Sequence, residues 1–334
     1  MSPNLTAHMT YPEAIVVGLI QGVTELFPVS SLGHNVLIPA LIGGSWAQDL
    51  SVSKPESPYL AFIVGLHVAT AAAMILYFWR DWLRIVGGFL SSLRERRIAT
   101  ADQRLAWMII LATIPVGIAG LALEHAFRVV FSKPVPTALF LALNGVILIG
   151  GERMWGRSRP LATTATEPVQ PDGRQAGGQT EPQAKPARAE PTRDLEVARA
   201  VAADRRLSGM SFRQAVQIGA AQIAALLPGI SRDGVVTVTG MARGVSREDA
   251  VRYSFLLSAP VILAAGVLKI PDLTGPLGAG IRGQVLVGSL LSFVGAYLSV
   301  RFLTRYFAKD RPLTPFGVYC LLAGLGSLVY LLAR

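Results

Sequence analysis

Residues Tyr59 to Trp79 form a run of 21 without a single Asp, Glu, Lys or Arg. At about 1.5 Å per residue, such a helix is long enough to cross a hydrocarbon core of about 30 Å. Similar runs recur along the chain, more than a soluble core of this size can bury. Only 16% of the 334 residues are charged, where a soluble globular chain carries roughly a quarter. The chain reads as an all-α integral membrane protein, and soluble folds are excluded.

Six segments are expected to cross the membrane: 59–79, 105–123, 135–151, 253–271, 284–300 and 315–333. Two further apolar regions, 12–43 and 212–250, are interrupted by Pro, Gly, Ser and charged residues. Backbone freed by such an interruption cannot face lipid; it must be buried in protein or line a wet cavity. Each therefore reads as a re-entrant helical hairpin.

Loop charge orients the chain. The 80–104 connection holds Arg80, Arg84, Arg94, Arg96, Arg97 and Arg104, and 301–311 holds Arg301, Arg305, Lys309 and Arg311. The 124–134 and 272–283 connections are poor in basic residues, so the arginine-rich loops are assigned to the cytoplasm and both termini to the outside. Arg243, Arg247 and Arg252 mark the cytoplasmic side of the second hairpin. The net charge of +10 is thereby explained by topology, and with no basic stripe interleaved with aromatics, no nucleic-acid partner is expected. The single cysteine, Cys320, rules out an internal disulfide and a cysteine-rich metal site. No basic n-region with a cleavage site opens the chain, so no removable signal peptide is expected.

The two interrupted regions are alike. Gly18-x-x-Gln21 leads to Pro28-Val29-Ser30-Ser31, and Gly219-x-x-Gln222 leads to Pro228-Gly229-Ile230-Ser231. Gln-to-Pro spacing is seven in the first and six in the second, which reads as one residue gained or lost. The expected architecture is an inverted repeat: 1–155 and 211–334, each a re-entrant hairpin (12–43, 212–250) followed by three crossings. Such repeats place the functional site near the midplane between them. Between the halves, 156–210 contains six prolines and no Phe, Tyr or Trp. It reads as a disordered cytoplasmic linker, with a short amphipathic helix over Leu195–Leu207 as the one structured option.

The chemistry-bearing residues cluster at the two interruptions. Gln21 and Glu25 are four apart and share a helix face, and an ionisable Glu25 at membrane depth is by default functional. Pro28 stops the helix, and Ser30, Ser31 and His34 follow. In the second hairpin Arg232 is a planar fork suited to phosphate oxygens, while Gly229 and Gly234 let backbone N–H groups approach an anion. The plainer alternatives are a solvent-facing polar tip and an Arg232 that only pairs with Asp233 or Glu25. His67 lies in an apolar helix and reads as a packed side chain; His8 and His125 lie near segment ends. No Walker A loop, G-x-S-x-G elbow or H-E-x-x-H occurs.

The sequence Gln21-x-x-x-Glu25 followed by Pro28-Val29-Ser30-Ser31-x-Gly33-His34, with Pro228-Gly229-x-Ser231-Arg232, resembles the bacterial undecaprenyl-diphosphate phosphatases, the bacitracin-resistance family. Ser254-Phe255-Leu256-Leu257-Ser258-Ala259-Pro260 also matches its pattern. The resemblance implies hydrolysis of the C55 isoprenyl diphosphate to the monophosphate, recycling the lipid carrier of cell-wall synthesis. It implies Ser31 as nucleophile and Glu25 with Gln21 as base or divalent-metal ligands. His34 would assist proton transfer, and Arg232, Ser231, Ser30 and Gly229 would hold the diphosphate. A divalent cation (Mg or Ca) and no organic cofactor are implied, as are a plasma-membrane location, a site reached from the outer face, and compatibility with a homodimer. Asp233 and Val236 stand where the family usually has serine and threonine, and Leu32 where threonine is common. Asp233 sets a negative charge beside Arg232 and adds a third candidate metal ligand. A lipid-phosphate transporter or flippase, and a paralogue acting on another polyprenyl diphosphate, are the alternatives.

Overall fold

The structure, a computed structural model, describes residues 9–50, 58–126, 133–158, 193–268, 275 and 280–333. Among them are thirteen α-helices, one 3-10 helix and no strand. The helices are α1 Tyr11–Thr24, α2 Ser31–Ile42, α3 Gly44–Asp49, α4 Pro58–Tyr77, α5 Trp79–Glu95, α6 Ala101–Ala126 and α7 Pro134–Ser158. They continue as α8 Arg193–Ser208, α9 Phe212–Ala220, the 3-10 helix Ala221–Leu226, α10 Arg232–Ala242, α11 Arg247–Leu268, α12 Arg282–Phe307 and α13 Thr314–Ala333.

Five helical stretches are long and apolar enough to cross a membrane: Ala101–Leu123, Pro134–Gly156, Arg247–Val267, Arg282–Phe307 and Thr314–Ala333. They cover five of the six expected crossings, although 269–271 lies outside the described residues. The chain is a multi-pass membrane protein. The 59–79 segment is helical as α4 over Pro58–Tyr77, and at Phe78 the axis turns by 86° into α5. The reason lies in α5. Leu83, Val86, Leu90 and Leu93 recur at helical spacing and are exposed, while Asp81, Ile85, Gly88 and Ser92 are buried against the protein. An amphipathic helix of this kind makes the expected 80–104 loop helical over most of its length.

The two interrupted regions are built by the same local rules. Thr10 and Glu13 form a capping box at the start of α1, and Ser211 and Gln214 form one at the start of α9. After each break a serine caps the next helix: Ser30 accepts from the Gly33 N–H at 3.3 Å and Ser231 from the Gly234 N–H at 3.2 Å. Thr10 and Ser211, Gln21 and Gln222, Ser30 and Ser231, and Gly33 and Gly234 all stand 201 positions apart. The unequal Gln-to-Pro spacing is therefore a displaced proline, and no residue has been gained or lost.

Helix packing crosses between the halves. α1 packs mainly on α12, α9 on α6, and α13 on α7, while α4 packs on both α12 and α11. The α1–α12 approach is close because a Cβ at Gly18 would strike the Gly288 backbone, and one at Gly22 the Ser292 backbone. α10 sits against α7 and α11, and α2 against α1 and α7. Both breaks consequently meet in the interior, beside the middle of α7.

The expected linker is structured at its C-terminal end. Residues 159–192 lie outside the described residues, but α8 docks on α6 and α11 with Ala203 and Leu207 buried. Its Asp204, 1% exposed, binds Arg84 at 2.5 Å and Arg252 at 2.8 Å. Arg252 also lies 3.1 Å from Asp81. Buried carboxylates paired to two arginines hold the helix in place where composition alone argues for disorder. Of the other expectations, His8 lies outside the described residues, as do parts of the 124–134 and 272–283 connections.

Candidate active site

The carboxylate of Glu25 is the centre of a buried polar cluster. The residue follows the last turn of α1, its N–H donating to the Gln21 carbonyl at 3.0 Å. Its Oε2 accepts from Ser31 Oγ at 2.5 Å and from Gln21 Nε2 at 2.9 Å. Its Oε1 accepts from Arg232 Nη2 at 2.6 Å. His67 Nε2 lies 3.5 Å from Oε2. A hydroxyl, an amide and two basic side chains thus converge on one carboxylate that is 8% exposed. The arrangement follows from sequence spacing. Gln21 and Glu25 are one turn apart, Pro28 follows the end of α1, and Ser31 begins α2. Arg232 begins α10 in the same way. Both helices therefore present first-turn amides and positive dipole ends toward the breaks, as an anion site requires.

A second set of contacts holds the breaks themselves. Asn35 Nδ2 donates to Gln21 Oε1 at 2.7 Å, which directs the Gln21 amide toward Glu25. Ser30 has φ 68 and ψ 100, a conformation costing a non-glycine residue about 1–3 kcal/mol. It is held there by its cap and by the Gly229 N–H, which donates to Ser30 Oγ at 3.2 Å. Gly229 has φ 109, and a Cβ there would collide with the Thr137 carbonyl and the Leu141 nitrogen, so only glycine fits. Asn144 Nδ2 donates to the Pro28 carbonyl at 3.0 Å, and Asn144 Oδ1 accepts from the Ser231 N–H at 3.0 Å.

Of the residues singled out from sequence, Ser31, Glu25, Gln21 and Arg232 meet at this carboxylate. His34 is turned elsewhere. Its Nδ1 is 2.7 Å from the Ser30 carbonyl, its Nε2 is 2.7 Å from Tyr319 Oη, and its ring stacks on Tyr319. Because the carbonyl only accepts, Nδ1 carries a proton and the tyrosine hydroxyl donates to Nε2. Ser30 and Ser231 spend their acceptor capacity on backbone caps and keep their hydroxyl protons free to donate. Asp233 faces away from Glu25 in its bonding: its Oδ1 accepts from Ser258 Oγ at 2.5 Å. With Thr237 and Ser254 it lines a void of about 10 Å³, room for a single water.

His67, read from sequence as a packed, hydrogen-bonded side chain, was not singled out for the site. Its Nδ1 bonds the Ile63 carbonyl at 2.8 Å, and its other nitrogen faces Glu25. Asn35, Asn144 and Tyr319 were not singled out either.

Among the described residues, no group of three or more His, Cys, Asp or Glu side chains gathers to hold a metal. Glu25 supplies one carboxylate, Gln21 turns its amide nitrogen to that carboxylate and its oxygen to Asn35, and Asp233 stands apart. One carboxylate completed by substrate oxygens is a donor set that Mg²⁺ accepts, so the residues fit a cation that arrives with a diphosphate.

The chain matches the family described as bacitracin resistance protein BacA over residues 14–326. It is 60% identical over 330 residues to the undecaprenyl-diphosphatase of Mycolicibacterium paratuberculosis, covering 99% of this chain and all of that one. It is 52% identical to undecaprenyl-diphosphatase 2 of Frankia alni, covering 95% of this chain and 96% of the relative. With undecaprenyl-diphosphatase 2 of Chromobacterium violaceum the identity is 38%, over 95% and 98%.

Proposed function

The chain belongs to the bacitracin resistance protein BacA family, and from that premise we infer that it hydrolyses undecaprenyl diphosphate to undecaprenyl phosphate and phosphate. It is a membrane hydrolase that returns the lipid carrier to cell-wall synthesis, and this activity underlies resistance to bacitracin. The observation that carries the mechanism is the short Ser31–Glu25 hydrogen bond, closed from the opposite break by Arg232.

In the proposed reaction Ser31 Oγ attacks the terminal phosphorus and its proton passes to Glu25. The bond from phosphorus to the bridging oxygen breaks, and undecaprenyl phosphate leaves. Water then cleaves the phosphoserine, releasing phosphate and restoring the hydroxyl. Arg232 holds the diphosphate; its Nε is buried without a protein partner and is a donor left over for phosphate. The Ser30 and Ser231 hydroxyls add further donors. Gln21 orients Glu25, and His34 steadies the Ser30 carbonyl at the strained turn before the nucleophile. Mg²⁺ or Ca²⁺ would be held by Glu25 and the diphosphate's own oxygens, and would neutralise charge on the transferring group. Phosphoryl transfer needs mainly this positioning and charge neutralisation.

The inverted-repeat reading is supported by the constant offset of caps and by the exchange of partners. α1 packs on the second half's α12, as α9 packs on the first half's α6. The outer-face reading is supported by the distribution of arginines. Arg84, Arg206, Arg247 and Arg252 gather with Asp81, Asp204, Asp249 and Glu152 at the end where α11 begins. α1 begins at the other end, where Gln284 at the start of α12 donates to the Met9 carbonyl.

Phosphate release from undecaprenyl and farnesyl diphosphates by the purified protein, with and without EDTA, tests the assignment and the chain-length preference. A protein that moves the lipid across a vesicle membrane without releasing phosphate would be a transporter instead.

A further inference from the structure

Asn144 lies in the middle of α7, is wholly buried, and spends its hydrogen bonds outside the Ser31–Glu25–Arg232 side chains. Its amide nevertheless bonds the backbone of both breaks: Nδ2 to the Pro28 carbonyl, three residues before Ser31, and Oδ1 to the N–H of Ser231, the residue before Arg232. Nδ2 is also 3.3 Å from Cys320 Sγ on α13. Where two helices break inside protein, their freed backbone groups have no helical partner and need one supplied. A hydroxyl is too short to serve both breaks, whereas a primary amide carries a donor and an acceptor on one flat unit.

Building on the hydrolase reading, we propose that Asn144 is the positioning residue that holds the two breaks in register, so that Arg232 stands opposite the Ser31–Glu25 pair. The 201-residue offset makes Ser31 and Arg232 equivalent positions, each opening its helix. Asn144 is the side chain that refers both openings to one point on α7. The direct tie between the breaks, Gly229 N–H to Ser30 Oγ, fixes their closest approach. Asn144 fixes the direction in which each helix leaves.

The test is a double-mutant cycle in the full-length protein, read in kcat, KM and affinity for undecaprenyl diphosphate. Asn144→Ala should lower kcat by about ten- to a hundredfold, the range for two neutral hydrogen bonds. Arg232→Ala should do so by more. If Asn144 acts by placing Arg232, the double variant should be no worse than Arg232→Ala alone, within about threefold. Losses that multiply in full would overturn the proposal, as would Asn144→Ala with unchanged kcat. Asn144→Leu keeps the volume without the hydrogen bonds and carries the same cycle should the alanine variant not fold. Full activity in Asn144→Leu would show that packing alone matters and would also overturn it. Failure of the wild type to release phosphate would instead refute the hydrolase reading. The cycle would then be read in affinity alone, where Arg232 and Asn144 must still be non-additive.

Discussion

Arg232→Ala probes the Glu25 carboxylate from the side of its charge partner. In the native protein, Glu25 is 8% exposed and bonded to Arg232 at 2.6 Å, with His67 the next basic group at 3.5 Å. Removing one partner of a buried ion pair costs about 3–5 kcal/mol, because the other charge is left in low dielectric. Arg232→Ala should therefore lose about that much stability against SDS in mixed micelles. Glu25→Gln alone should lose less, since it leaves an arginine with free access to phosphate or water through its 16% exposed side chain. Combining the two should recover much of the stability, since the Glu25 carboxylate is then no longer left as an unpaired buried charge. Activity should not recover. Two charge-assisted hydrogen bonds to the diphosphate, at about 1.5–3 kcal/mol each, would be missing, a loss of about 10²–10⁴ in kcat/KM. Arg232→Lys should recover only part, because a point charge cannot reproduce the fork. If the double variant is as unstable as Arg232→Ala, the pair does not stabilise the fold and the reasoning fails.

Ser31→Ala should abolish phosphate release yet bind undecaprenyl diphosphate with near wild-type affinity, since Arg232 remains; substantial turnover would indicate attack by water. Deleting 160–190 should leave activity and stability unchanged, whereas Asp204→Ala, which strands Arg84 and Arg252, should cost about 3–5 kcal/mol in the same SDS titration. Cys320 is fully buried, so single cysteines can be read against a silent background with an impermeant thiol reagent on intact cells. Arg282→Cys should react and Arg97→Cys should be shielded, and the reverse pattern would invert the topology.

Local chemistry is what the sequence could determine by itself. Hydrocarbon thickness sets the length of a crossing, so the six expected spans coincide with helices over their described residues. Proline, glycine and serine act on their own backbone, so both breaks and their caps could be located. The i, i+4 spacing of Gln21 and Glu25 placed them on one face, and Ser31 followed six residues on. Tertiary structure decided everything that depends on which helix lies beside which. The partner of Glu25 is 207 positions away in Arg232, and no periodicity encodes that pairing. His67 looked like a packed side chain until α4 was set against α1, and Asn144 drew no notice until α7 was set between the breaks. A helix over Leu195–Leu207 was legible as an option within the linker, but what docks α8 was not: its Asp204 meets Arg84 and Arg252 only once α5 and α11 are assembled. The turn at Phe78 was hidden for the same reason: an apolar run records that lipid or protein will cover it, not where its axis bends.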